Sequence, residues 1–150
     1  MTVSSLAHDN GEIYWDDINW EKTEYSSVKA YGQSKLANIL FTRELAKRLK
    51  GSGVTTYSLH PGVIATELSR HIKDKMGIFK FILFPIRPFL KTPESGAQTT
   101  IFCAVDESVA DQTGLYYADC AIKTPKPQAL SDEDAKKLWE ISEKLTGLQK

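Results

Sequence analysis

Apolar residues recur along this chain with two alternating patterns. Between residues 26 and 50 they fall at helical intervals, and Gly51 follows as a stop signal. Residues 54–59 form a short run between Gly53 and Pro61, which is typical of a buried strand. The alternation predicts helices layered on a sheet, the α/β class.

Local signals place the other elements. Thr92 precedes Pro93 and Glu94, the order expected at a helix N-terminus. Ser131 precedes three acidic residues, and Gly147 ends the periodic run that follows. Five further elements are therefore predicted: a strand end at 2–5, a loop at 9–23, a helix at 93–105, a short strand at 114–118 and a last helix at 131–147.

The composition indicates one compact domain and excludes several functional classes. The 150 residues are 41% hydrophobic, enough for a core, and 19 basic residues balance 19 acidic ones. With no net charge, we expect no nucleic-acid partner. Cys103 and Cys120 are too few for a disulfide framework, and the spacing of the three histidines suits no metal site.

Tyr31 and Lys35 are candidates for proton transfer. Four residues apart on the most regular helix, they share one face, and an ammonium beside a phenol favours the phenolate, which can exchange a proton with an alcohol. Tyr25 and Lys29 have the same spacing, but Tyr25 lies at or before the predicted helix start. We therefore favour Tyr31 and Lys35; a solvated helix face is the alternative.

Several segments resemble the short-chain dehydrogenase/reductase family in its retinol-dehydrogenase-like branch. Tyr31-Gly-Gln-Ser-Lys35, followed by LANILFTRELAKRL, resembles the active-site helix. Three other segments match in the family's order: the strand end at 3–8 (VSSLAH), the turn at 60–63 (HPGV) and residues 91–99 (KTPESGAQT). Each could be an ordinary structural segment by itself, whereas the fixed order favours the family.

The resemblance implies the C-terminal part of a Rossmann-like doubly wound parallel sheet, so residues 1–150 would form a single partial domain. It assigns catalytic roles to Ser5, Tyr31 and Lys35. Ser4 is a less favoured candidate for the catalytic serine. The cofactor-binding residues that it implies are Val3, Ser4, Tyr31, Lys35, Pro61, Gly62, Val63 and Thr66.

The implied activity is interconversion of an apolar, retinol-like alcohol and its aldehyde or ketone, with NADP(H) favoured over NAD(H). The family's glycine-rich turn is expected before residue 1, because Gly51-Ser-Gly53 follows a helix and precedes a strand, the reverse of the required order. A non-catalytic fragment that binds a full-length relative is the alternative. Nucleotide-sugar epimerases or dehydratases share the tyrosine and lysine, but the apolar stretch Gly77–Leu90 fits a nucleotide-sugar substrate poorly.

The most apolar stretch, Gly77–Leu90, is too short to span a bilayer and contains charged residues and prolines. It occupies the family's variable substrate-binding segment, so an apolar lid, interfacial membrane contact and core packing remain open. A dimer through the Tyr31–Lys50 helix is a further expectation. The resemblance implies an intracellular protein associated with the endoplasmic reticulum or another membrane.

Overall fold

The protein is represented by a computed structural model that describes residues 1–64 and 90–148. In these segments, the strands are β1 (Thr2–Val3), β2 (Tyr57–Leu59), β3 (Leu115–Ala118) and β4 (Ala121–Ile122). The helices are α1 (Ser27–Arg48), α2 (Pro93–Val105) and α3 (Asp132–Thr146). Short 3-10 helices cover Leu6–Asn10, Glu107–Val109 and Pro127–Leu130.

The strands form one mixed sheet in the order β1-β2-β3-β4. The first three are parallel, with Val3 opposite Leu59 and Leu59 opposite Tyr117, as the predicted α/β class requires. β4 pairs antiparallel with β3 through a hairpin at Asp119 and Cys120, which both have positive φ. The sequence reasoning missed β4, because neither turn residue is a glycine.

The predicted strands are longer than the observed ones. Residues 54–59 were expected to pair throughout, but β2 begins only at Tyr57, and Val54 is exposed. β1 ends at Val3, although the Ser4 N–H still donates to the Leu59 carbonyl at 2.6 Å. Ser5 then caps the 3-10 helix at Leu6–Asn10, which begins before the expected loop at 9–23, so backbone pairing stops where side-chain capping begins.

Helix α1 lies between the sheet and α3. Its buried face carries Leu36, Ile39 and Leu40, which pack with Tyr116 of β3 and Leu138 of α3. This cluster is the core that holds the helix against the strands.

Residues 31–50, the segment of α1 expected to form a dimer, also contact α3 within the chain. Phe41 stacks on Trp139 of α3, with ring centroids 5.4 Å apart, and Arg43 pairs with Asp132 at 2.8 Å. Dimerisation through residues 31–50 stays a prediction.

The predicted helix caps are confirmed. Thr92 Oγ1 accepts a hydrogen bond from the Ser95 N–H at 3.2 Å, and Ser131 Oγ accepts from the Asp134 N–H at 3.1 Å. Gly147 ends α3 with φ +70°. These ends were predictable because capping depends on local residue order.

Two predictions fall wholly or largely outside the described residues: the assignment of Thr66 and the Gly77–Leu90 stretch, of which only Leu90 is described. Within the described segments, no helix combines the length and apolarity needed to cross a bilayer. In the same segments, no three metal-ligating side chains come together.

Candidate active site

Two predicted site segments meet at one edge of the sheet. Ser4 and Ser5 follow β1, and residues 60–63 follow β2, the parallel neighbour of β1. The carboxyl ends of parallel strands share an edge, and ligands of open α/β sheets bind in the crevice outside it. Helix α1 brings Tyr31 and Lys35 to the same edge.

Three hydrogen bonds join the end of β1 to α1. Ser4 Oγ donates to the Lys35 carbonyl at 2.7 Å, and Lys35 Nζ donates to the Val3 carbonyl at 3.3 Å. Asn38 Nδ2 also donates to the Val3 carbonyl, at 3.0 Å. They fix residues 35–38 against the strand end, so the Lys35 ammonium lies at the sheet edge.

Two glycines bring the segment after Ser5 onto α1. A Cβ atom on Gly11 would lie 2.5 Å from the Gly32 carbonyl oxygen, and one on Gly32 would lie 3.2 Å from the Ala7 carbonyl oxygen. The backbones are therefore in direct contact one residue after Tyr31. This approach holds the 3-10 helix, whose N-cap is Ser5, against the first turns of α1.

Tyr31 is partly open to solvent and lies beside a cation. Its side chain is 45% exposed, and Lys35 Nζ lies 5.3 Å from its ring centroid. The ring of Tyr25, the other candidate, packs against Trp20 instead, with centroids 6.0 Å apart. Tyr25 is the more exposed of the two, at 67%, so the feature that favours Tyr31 is the ammonium beside its ring.

The two serines have different surroundings. Ser4 is buried, and its hydroxyl proton is directed to the Lys35 carbonyl. Ser5 is half-buried, and its Oγ accepts the Ala7 N–H at 3.2 Å, which leaves its own proton available. Of the two, Ser5 is better placed to donate to a ligand at the edge.

The turn after β2 is held from two sides. Gly62 has φ +87°, and its N–H donates to His60 Nδ1 at 3.0 Å. On the other side the Lys91 N–H donates to the Val63 carbonyl at 2.9 Å, and the Lys91 stem lies where a Gly62 Cβ would point. The Lys91 ammonium pairs with Asp119, and this hydrogen bond lowers the pKa of the carboxyl.

Sequence reasoning assigned no role to Asn38 and Lys91, which bond at this edge, or to Gln33, which bonds to the neighbouring loop. Gln33 Nε2 donates to the Ile18 carbonyl at 2.8 Å, and its Oε1 accepts the Tyr14 N–H at 3.1 Å. It therefore pins the 9–23 loop to α1. The available signal was a glutamine within the Tyr31–Lys35 motif on the buried face of the helix.

Gly51 and Gly53 lie at the other end of the sheet. They follow α1, precede β2 and have φ values of +83° and +76°. The order predicted from the sequence is therefore the observed one, and these glycines form the connection from helix to strand.

Comparison with known proteins supports the resemblance. A family model described as "short chain dehydrogenase" matches residues 19–77. The chain is 45% identical to retinol dehydrogenase 11 and 46% identical to retinol dehydrogenase 12, both from Homo sapiens. Each alignment covers 99% of this chain, with 45% and 46% of the respective relative.

A solved structure shows the same fold. The crystal structure of an uncharacterized protein from Mycobacterium Paratuberculosis matches 97% of this chain and 48% of its own, with a TM-score of 0.70 and 30% identity. The chain spans about half the length of the curated relatives it matches. The matched segments and the fold agree, and the chain is similar over nearly its whole length to the retinol-dehydrogenase-like branch of the short-chain dehydrogenase family.

Proposed function

We propose that the protein carrying this chain is an oxidoreductase that interconverts an apolar, retinol-like alcohol and its aldehyde or ketone with a nicotinamide cofactor, NADP(H) in preference to NAD(H). The observation that carries the proposal is the Lys35 ammonium, 5.3 Å from the Tyr31 ring and bonded to the last carbonyl of β1. Tyr31, a proton-transfer group, and the Lys35 cation therefore lie at the same edge of the sheet as the end of β1, which Ser5 follows. The retinol dehydrogenase relatives supply the substrate class.

The residues at this edge fit the nicotinamide end of such a cofactor. Lys35 Nζ has three donors, and its recorded bond to the Val3 carbonyl uses one, which leaves donors for a ribose hydroxyl. Val63 is 53% exposed beside Gly62 and offers an apolar surface to a flat ring. The strand ends themselves consist of Val3 and Ser4 at β1 and of Pro61 just after β2. Thr66 remains a proposed contact from the sequence resemblance alone.

Three side chains have separate roles in alcohol oxidation. Ser5 donates a hydrogen bond to the substrate oxygen and orients it. Tyr31, as phenolate, accepts the hydroxyl proton, and the Lys35 ammonium stabilises that negative charge. A nicotinamide cofactor held by Lys35 and the turn at residues 60–63 would supply the hydride acceptor. In reduction Tyr31 returns the proton to the carbonyl oxygen.

The whole protein that carries this chain is tested first for binding of NADPH and NADH by fluorescence transfer from protein to nicotinamide, then for oxidation of retinol. We expect Tyr31→Phe to lower kcat by about 10²–10⁴-fold, the usual contribution of a positioned acid or base, with cofactor affinity retained. Tyr25→Phe is the matched control and should leave kcat unchanged. Equal activity of Tyr31→Phe and wild type would contradict the assignment, as would a wild type that neither binds nor turns over.

A second candidate function is non-catalytic binding to a full-length relative. The sheet favours it, because β1 is an edge strand of the described sheet and Val3 is 46% exposed. Co-purification with a retinol dehydrogenase, without turnover, is the result expected. A Val3→Lys variant should weaken that association, whereas unchanged association would exclude the β1 edge as the surface.

A further inference from the structure

His60 lies buried beneath the turn that follows β2. It is 4% exposed, and its ring stacks on Tyr116 of β3 with centroids 5.8 Å apart and planes 26° apart. Its Nδ1 accepts the Gly62 N–H at 3.0 Å, two residues along the chain. The side chain therefore bonds to the turn from inside the protein.

This hydrogen bond determines the protonation of the ring. Nδ1 must present a lone pair to the Gly62 N–H, so the ring proton of neutral His60 is on Nε2. Burial, and next the Lys123 charge, lower the pKa of His60, which keeps the ring neutral near physiological pH. Among the residues that the structure describes, His60 Nε2 contacts no acceptor.

The bond also controls the direction of the Gly62 peptide. Gly62 has φ +87°, a conformation that glycine adopts readily but does not require. Without an acceptor on its N–H, the peptide between Pro61 and Gly62 loses its hydrogen bond to the protein interior, and only the Lys91 side of the turn stays held. The exposed Val63 side chain follows that peptide directly.

We propose that His60 is a positioning residue for the cofactor: its Nδ1 holds the Gly62 N–H and thereby fixes Pro61, Gly62 and Val63 in the orientation that receives the nicotinamide end. This inference rests on the function proposed above. His60 itself touches the turn and Tyr116, and it acts on the cofactor only through the turn.

Two variants separate the acceptor from the ring. His60→Asn keeps an acceptor, because asparagine Oδ1 is as many bonds from Cα as histidine Nδ1 and commonly accepts the N–H two residues on. It loses the ring that stacks on Tyr116. His60→Phe keeps a ring for that stack and loses the acceptor.

The probe is NADPH, titrated into the whole protein that carries this chain and into both variants of it, alongside thermal unfolding. We expect His60→Phe to raise the Kd for NADPH about tenfold, the factor for one hydrogen bond, and His60→Asn to stay within about threefold of wild type. A merely structural role predicts that affinity follows melting temperature. Equal Kd values for wild type and His60→Phe would overturn the proposal.

A spectroscopic measurement tests the hydrogen bond without cofactor. Long-range ¹H–¹⁵N NMR of the free chain should show His60 protonated on Nε2, and exchange of the Gly62 amide should be faster in His60→Phe than in His60→Asn. A proton on Nδ1 overturns the proposal. Failure of wild type to bind NADPH overturns the proposed function and the positioning role together, whereas normal binding with unprotected Gly62 overturns the positioning role alone.

Discussion

The contact between Gly11 and Gly32 leads to a sharp prediction about what holds the segment after Ser5 against α1. A Cβ on Gly11 would stand 2.5 Å from the Gly32 carbonyl oxygen, whereas real Cβ contacts essentially never fall below 3.0 Å. The obstacle is backbone within α1, so no side chain can rotate out of the way. Gly11→Ala must therefore push the segment after Ser5 away from the helix.

The expected cost follows from this geometry. Gly11 has φ −76°, which alanine adopts without strain, so the effect is purely steric. Overpacking costs about 1–3 kcal/mol, and the smaller entropy of an unfolded chain with alanine returns about 0.4–1 kcal/mol. We expect Gly11→Ala to lower the free energy of unfolding by about 1–2 kcal/mol, measured by urea titration.

Gly32→Ala, on the other side of the contact, is the matched control. Its Cβ would meet the Ala7 carbonyl oxygen at 3.2 Å, which a shift of a few tenths of an ångström relieves. Alanine also favours a helix interior over glycine by about 1 kcal/mol. The variant should stay within about 1 kcal/mol of wild type. A Gly11→Ala protein as stable as wild type would refute the close backbone contact.

Two further predictions concern titratable groups. Burial raises the pKa of Cys103 to about 11, and the residue is 3% exposed. Iodoacetamide near neutral pH should therefore label only Cys120 in the folded chain and both thiols in denaturant, which mass spectrometry would show. Labelling of Cys103 without denaturant would contradict its burial. For Asp17, desolvation raises the pKa, but the combined hydrogen bonds from Thr23, Glu21 and Lys22 outweigh it and lower the pKa from 3.8 to about 2. The contribution of Asp17 to stability is therefore complete above about pH 4 and lost as pH falls towards 2. The melting temperatures of wild type and Asp17→Ala should converge over that window. A difference in melting temperature that stays constant with pH would refute this prediction.

Much of this protein was predictable from residue order alone. Helix ends, such as the Thr92 and Ser131 caps and the Gly147 stop, depend on neighbours a few residues away. The Tyr31–Lys35 pairing was predictable because residues four apart share a helix face.

Tertiary structure decided the contacts between segments distant in sequence. The Gly11–Gly32 contact, the Gln33 bonds to the loop and the Lys91 contact with Gly62 leave no periodic trace in the sequence. The difference between the two serines also leaves no trace in the sequence. In the fold, the Ser4 hydroxyl donates to the Lys35 carbonyl, whereas the Ser5 hydroxyl accepts from the Ala7 N–H and keeps its own proton for a ligand. The sequence by itself determined the elements, their order and the chemistry on α1, because these depend on local spacing. Only the fold decided which strand ends meet that helix, because backbone approach and burial depend on residues far apart along the chain.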